Sequence, residues 1–205
     1  MLQAAQSGQS SGEKLSQMLA PWDEQLIALA GRVHKSRVRY VERLNAAFER
    51  DLFGREELSI RYASSFEGKG DLSDYEGLMA KRLKIRLPAE IAAGRSLIGT
   101  HRDELEILFD GHDLRRYGSA GQQRSALLLL LIANLSVFDA QRGEYPAFLL
   151  DDIDAELDYS RIGCLLEFLD GKTQTFVTTS KEGFVEEFGK NARVFHVRNG
   201  RAEFV

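Results

Sequence analysis

The run from Ala126 to Ala133 is uninterruptedly apolar. It lies inside a segment of helical length, Ala120 to about Arg142, that Gly143 closes. The segment reads as a long apolar helix. The run is far shorter than a membrane span. The N-terminus, Met1-Leu2-Gln3-Ala4-Ala5, has neither the basic nor the apolar region of a signal peptide. The expectation is a soluble, cytoplasmic protein with no membrane partner.

The surroundings of that helix read as alternating strands and helices. Pro146 to Leu150 is a buried strand, and Tyr159 to Leu169 a helix. Thr173 to Thr178 is a further strand, and Glu182 to Phe188 a short helix. Two hairpins flank the set. Leu105 to Phe109 and His112 to Arg116 meet at Asp110-Gly111, and Arg193 to Val197 and Arg201 to Val205 meet at Asn199-Gly200. This pattern predicts an α/β sheet domain.

The first part has a different texture. Gln6 to Gly12 reads as flexible. A helix is expected from about Pro21, with Leu26, Leu29, Val33, Tyr40, Val41, Leu44 and Phe48 at helical spacings. Leu58 to Tyr62 alternates as a strand does. A second helix, from about Ser73 to Ala93, should be bent or interrupted by Pro88 and stopped by Gly94. The net charge of -4 gives no global attraction to nucleic acid, so any such contact must be a local patch. Arg32, Lys35, Arg37, Arg39 and Arg43 form one on the first helix, and Lys81, Arg82, Lys84 and Arg86 another. Either could equally be a solvated face. One cysteine, Cys164, excludes an internal disulfide and argues against a thiolate zinc site.

Four motifs carry chemistry. The strand Phe148-Leu149-Leu150 ends in Asp151-Asp152, at the carboxyl edge where α/β proteins bind ligands. In a nucleotide-hydrolysing site the first acid serves Mg²⁺ and the second polarises a water; the plainer reading is a polar turn. Ser119-Ala120-Gly121-Gln122 has capping-box spacing ahead of the apolar helix, which suits a phosphate but also caps a core helix. Asp158 closes Ala155-Glu156-Leu157-Asp158 and could simply cap a helix. Thr178-Thr179-Ser180 places hydroxyls at a strand end.

The order and spacing of these motifs resemble the C-terminal half of an ATP-binding-cassette ATPase domain of the SMC and RecF kind. The stretches Gly99 to Leu105, Tyr117 to Arg124, Leu149 to Ile153 and Gln174 to Thr179, with Trp22 to Leu26 as the start of an arm helix, bring the resemblance close to the RecF family of bacterial DNA replication and repair proteins. It runs from about Pro21 to Val205. It implies residues 1–97 as a mainly helical arm and 98–205 as the C-terminal lobe of an ABC/SMC-type ATPase domain. It implies that Ser119, Gly121 and Gln122 contact the ATP γ-phosphate of a second subunit. Asp151 would serve Mg²⁺ and Asp152 would be the catalytic acid. Asp158 would belong to the loop facing the partner subunit, and Thr179 and Ser180 to the switch region. Cofactors implied are ATP and Mg²⁺. Partners implied are DNA at single- and double-strand junctions, RecO, RecR and RecA, and a second copy in an ATP-dependent homodimer.

The family's phosphate-gripping Gly-x-x-x-x-Gly-Lys-Ser/Thr loop has no match in the chain. Gly171-Lys172-Thr173 is a decoy: Leu166 stands where the first glycine belongs, and a strand follows where a helix should. The expectation is a RecF-like fragment that turns over no ATP alone. The rivals are a DNA-binding scaffold of the same fold and another SMC-like or Rad50-like lobe.

Overall fold

In a computed structural model, residues 12–48 and 57–205 are described. The stretch expected to be flexible lies outside them, except Gly12. The chain divides into two compact units, residues 1–43 with 60–107 and residues 44–59 with 108–205.

The first unit is built on α1 (Gly12–Ala46) and α2 (Tyr75–Ala93). α1 starts ahead of Pro21, which therefore sits inside the helix and not in its first turn. It also ends before Phe48. Pro88 likewise lies inside α2, which continues through it instead of breaking. Both prolines are exposed, so water can satisfy the carbonyls that they leave without a donor. Asp74 caps α2 by accepting from Gly77 N at 3.0 Å, and Gly94, at φ 63°, closes it in the left-handed conformation. Ala30 of α1 packs with Phe66, Tyr75, Leu78, Met79 and Leu83.

A polar knot lies beside that core. The Asp103 side chain is buried and accepts from Ser65 N at 2.7 Å and from the Tyr62 hydroxyl. Arg37 stands 3.6 Å from the same carboxylate. His34 is buried, stacked on Tyr75 with ring centroids 4.2 Å apart. Burial holds the His34 imidazole below its ordinary pKa of 6.5; the Asp103 carboxylate opposes this and Lys35 adds to it. The unfolded chain then takes up the proton first, so stability should fall as pH drops below about 6.5. His34→Phe keeps the stack and removes the titration. Its Tm should fall less than the wild type's between pH 7.5 and 5.5; equal falls would show that His34 takes up its proton alike in the folded and unfolded chain.

A three-stranded sheet of order β1-β2-β3 is made by β1 (Leu58–Ala63), β2 (Glu104–Phe109) and β3 (His112–Asp113). Asp110 and Gly111 turn between β2 and β3 at φ 49° and 76°. The second arm of this hairpin is shorter than expected. Residues Leu114–Tyr117 are a helical turn, α3, because Asp113 accepts from Arg115 N at 2.9 Å and so starts a helix.

The second unit's core helix is α4 (Ala120–Arg142). By length and composition it could cross a membrane, but Ala126, Leu128, Leu129, Ile132, Ala133 and Leu135 are buried in protein. β4 (Phe148–Leu150) leads through α5 (Ile153–Glu156) and α6 (Tyr159–Leu169) to β5 (Thr175–Val177), which pairs parallel with β4. That is a strand-helix-strand crossover. Leu128, Ile132 and Leu135 meet Ile153, Ile162, Leu165, Leu169 and Phe184, the last from α7 (Glu182–Phe188). The chain finishes in the hairpin β6 (Phe195–Arg198) and β7 (Arg201–Phe204), turned by Asn199 and Gly200 as their sequence predicts.

Candidate nucleotide half-site

The parallel register sets Leu150 opposite Val177, and Thr178 N donates to Leu150 O at 2.9 Å. The two carboxyl ends therefore finish side by side, and Asp151, Asp152 and Thr178 emerge together. The Thr178 hydroxyl donates to Asp151 Oδ1 and accepts from Asp152 N at 2.9 Å. One hydroxyl thus fixes both acids. Asp152 adopts φ 48°, ψ 41°, a left-handed conformation that aspartate tolerates better than most residues. Its carboxylate makes no capping bond to α5 and is exposed.

Behind the acids, Lys181 joins the two loops. Its Nζ donates to Asp154 O at 2.6 Å and stands 3.2 Å from Asp154 Oδ2. Burial alone would raise the Asp154 carboxyl; Thr179 and Lys181 reverse the sign and hold it below the usual carboxylate range. Lys181 N also donates to Thr179 Oγ1 at 3.0 Å, which turns the chain after β5. Ser180 is exposed.

The start of α4 has the expected capping box. Gln122 N donates to Ser119 Oγ at 3.2 Å, and Ser119 N to Gln122 Oε1 at 2.9 Å. Among the described residues no acceptor faces Ala120 N or Gly121 N. Two donors and the positive end of a long helix thus remain for an anion. A Cβ built on Gly121 would meet nothing nearer than 3.8 Å, so the approach is open. Asp158 caps α6, accepting from Arg161 N at 2.9 Å and from the Arg161 guanidinium. That backbone N–H is the largest cause holding its carboxyl low, ahead of the guanidinium. Arg161 Nε donates to Ser125 Oγ at 3.0 Å.

The second unit therefore assembles Asp151 and Asp152 with Thr178, and ties Asp158 to α4. Sequence reasoning did not single out Asp154, Lys181, Ser125 or Arg161. A signal existed only for Arg161, three residues after a helix-capping Asp158, where side chains meet. Among the described residues no group of three or more His, Cys, Asp or Glu side chains could hold a metal.

The basic residues of α1 belong to the first unit. Lys35 pairs with Glu76 at 3.2 Å, and Arg37 donates to Thr100 O at 2.6 Å besides facing Asp103. Arg32, Arg39 and Arg43, seven and four residues apart, share one exposed face.

RecF of Synechococcus sp. (strain JA-3-3Ab) is 38% identical over 200 residues, which cover 94% of this chain. RecF of Halothermothrix orenii is 33% identical over 191 residues, 89% of the chain. The chain is homologous to RecF. It spans about half the length of these relatives, 52% and 51%. No family model matches. A solved structure of the recombination mediator protein RecF with ATP, in the RecFOR pathway, superposes with a TM-score of 0.78 at 29% identity, over 96% of this chain and 52% of that one. A second, of RecF with an ATP analogue, gives 0.79 at 27% identity over 97% and 52%. The expected α/β fold of an ABC/SMC-type ATPase is thereby met, and the half-length coverage fits the C-terminal portion of RecF.

Proposed function

We propose that the chain works as RecF does, in the RecFOR pathway of DNA replication and repair, with an arm over residues 1–97 and an ATPase lobe over 98–205. The observation that carries this reading is the assembly of Asp151, Asp152 and Thr178 at the carboxyl edge of the β4–β5 pair. Asp152 holds a water for attack on a γ-phosphate, its backbone pinned by Thr178. Asp151, whose Oδ1 Thr178 engages, would hold Mg²⁺, an ion that takes one or two protein carboxylates. When bound, Mg²⁺ neutralises phosphate charge. Ser119, Gly121 and Gln122 present the α4 N-terminus to ATP held by a second subunit, with Asp158 beside them facing that subunit. Thr179 and Ser180 are the switch residues. The place of action is the bacterial cytoplasm, with RecO and RecR as partners in helping RecA load at single-strand gaps.

Complementation tests the trans arrangement. A full-length RecF whose own signature serine has been replaced keeps its phosphate loop and loses turnover. Adding this chain should restore ATP hydrolysis, and Asp152→Asn in the added chain should leave that rescue intact, because Asp152 serves its own side. Failure to rescue at any excess would count against the reading. The chain alone should hydrolyse no ATP.

For DNA, the exposed Arg32, Arg39 and Arg43 stripe is the phosphate-contacting face. Arg39→Glu with Arg43→Glu should weaken binding to gapped DNA and reduce the salt slope by roughly one per lost contact. Unchanged affinity and slope would remove the stripe. Arg37 is a poor probe, since its loss leaves buried Asp103 without its cation and mixes folding with binding.

A further inference from the structure

Arg161 lies along one face of α4. Gly121 and Ser125 are four residues apart and share that face. Arg161 Nε donates to Ser125 Oγ at 3.0 Å, and its terminal nitrogen lies 3.8 Å from the point a Gly121 Cβ would occupy. Its guanidinium and backbone N–H both hold Asp158. Ser125 is buried, so its hydroxyl has no solvent alternative.

We propose that Arg161 is a positioning residue that makes the Asp158 loop and the phosphate-facing end of α4 one rigid body. This rests on the reading that both elements face a neighbour's ATP. The guanidinium is suited to the task because it is planar and carries several donors in fixed directions. One edge serves Asp158 while Nε serves Ser125. A movement of the loop on meeting the neighbouring subunit is then carried to the helix end that meets its γ-phosphate, with Ser125 as the anchor. The arrangement also leaves positive charge beside Gly121. No part of this brace belongs to the acid pair, so it acts on association and not on water activation.

The test is association of the labelled chain with full-length RecF of Synechococcus sp. in ATP and in ADP, with Tm measured in parallel. Arg161→Ala should weaken the ATP-dependent association about tenfold, as loss of charge-assisted bonds of this kind does, and lower the ratio of ATP to ADP affinities. Ser125→Ala, which removes one hydroxyl and keeps the fold if Arg161→Ala does not, should weaken it in the same sense. The double variant should be no weaker than Arg161→Ala, because both break one bridge. Arg161→Lys should stay weakened, since one ammonium cannot span both partners. The brace is overturned by wild-type association of Arg161→Ala, by additive losses, by full rescue with lysine, or by equal losses in ATP and ADP. If the wild-type chain itself shows no ATP-dependent association, the trans reading fails first and the brace falls with it.

Discussion

Gly121→Asp should leave the chain as stable as the wild type, or slightly more so, and abolish the proposed ATP-dependent association with RecF. The two effects have opposite signs for one physical reason. A carboxylate in the first turn of α4 meets the positive end of the helix and gains roughly 0.3–1 kcal/mol. The site has room for it, with no atom closer than 3.8 Å to the new Cβ, and Arg161 stands within reach. A γ-phosphate brought to the same donors meets a like charge, which costs several kcal/mol and so about a hundredfold or more in affinity. Circular dichroism melting gives the first quantity and sedimentation with RecF in ATP the second. A variant that melts as the wild type does and still associates in ATP would remove the α4 end from the interface.

Leu165→Ala should cost the fold about 2–5 kcal/mol, the range for truncating a buried leucine without relaxation. Leu165 is fully buried, at 0% exposure, on α6. It packs in the cluster that joins α6 to Leu128, Ile132 and Leu135 of α4 and to Phe184 of α7. α4 carries the capped end and α6 carries Asp158 and Arg161, so this cluster holds those two elements together. A urea titration should show the midpoint moving sharply down with little change in slope. A loss below about 1 kcal/mol would mean that the neighbours collapse into the space, and that the packing of α4 on α6 is looser than their burial indicates.

Much of the second unit was legible because its signals are local. Ser119 and Gln122 cap α4 by the spacing between them, Asn199-Gly200 turns the last hairpin, and Asp158 caps α6 as its position suggests. The prolines misled, because a proline stops a helix only where its lost hydrogen bond cannot be replaced. Pro21 and Pro88 face water. Asp113 hid a helix start inside a strand-like stretch. In the site, Asp151 and Asp152 could be read from a strand that ends in acids. The role of Thr178 could not, because it depends on β5 lying parallel to β4, a pairing between residues 27 apart. The Asp154–Lys181 pair is hidden for the same reason. Lys35 and Arg37 read as free cations until the fold supplies Glu76, Thr100 and Asp103 as their partners.

The trans arrangement has this chain offering its α4 end to ATP bound by a RecF subunit. Sedimentation equilibrium of the labelled chain with full-length RecF of Synechococcus sp., in Mg-ATP and in Mg-ADP, tests it most directly. A mixed complex should form in ATP and dissociate in ADP. Equal association in both nucleotides, or none in either, would contradict it.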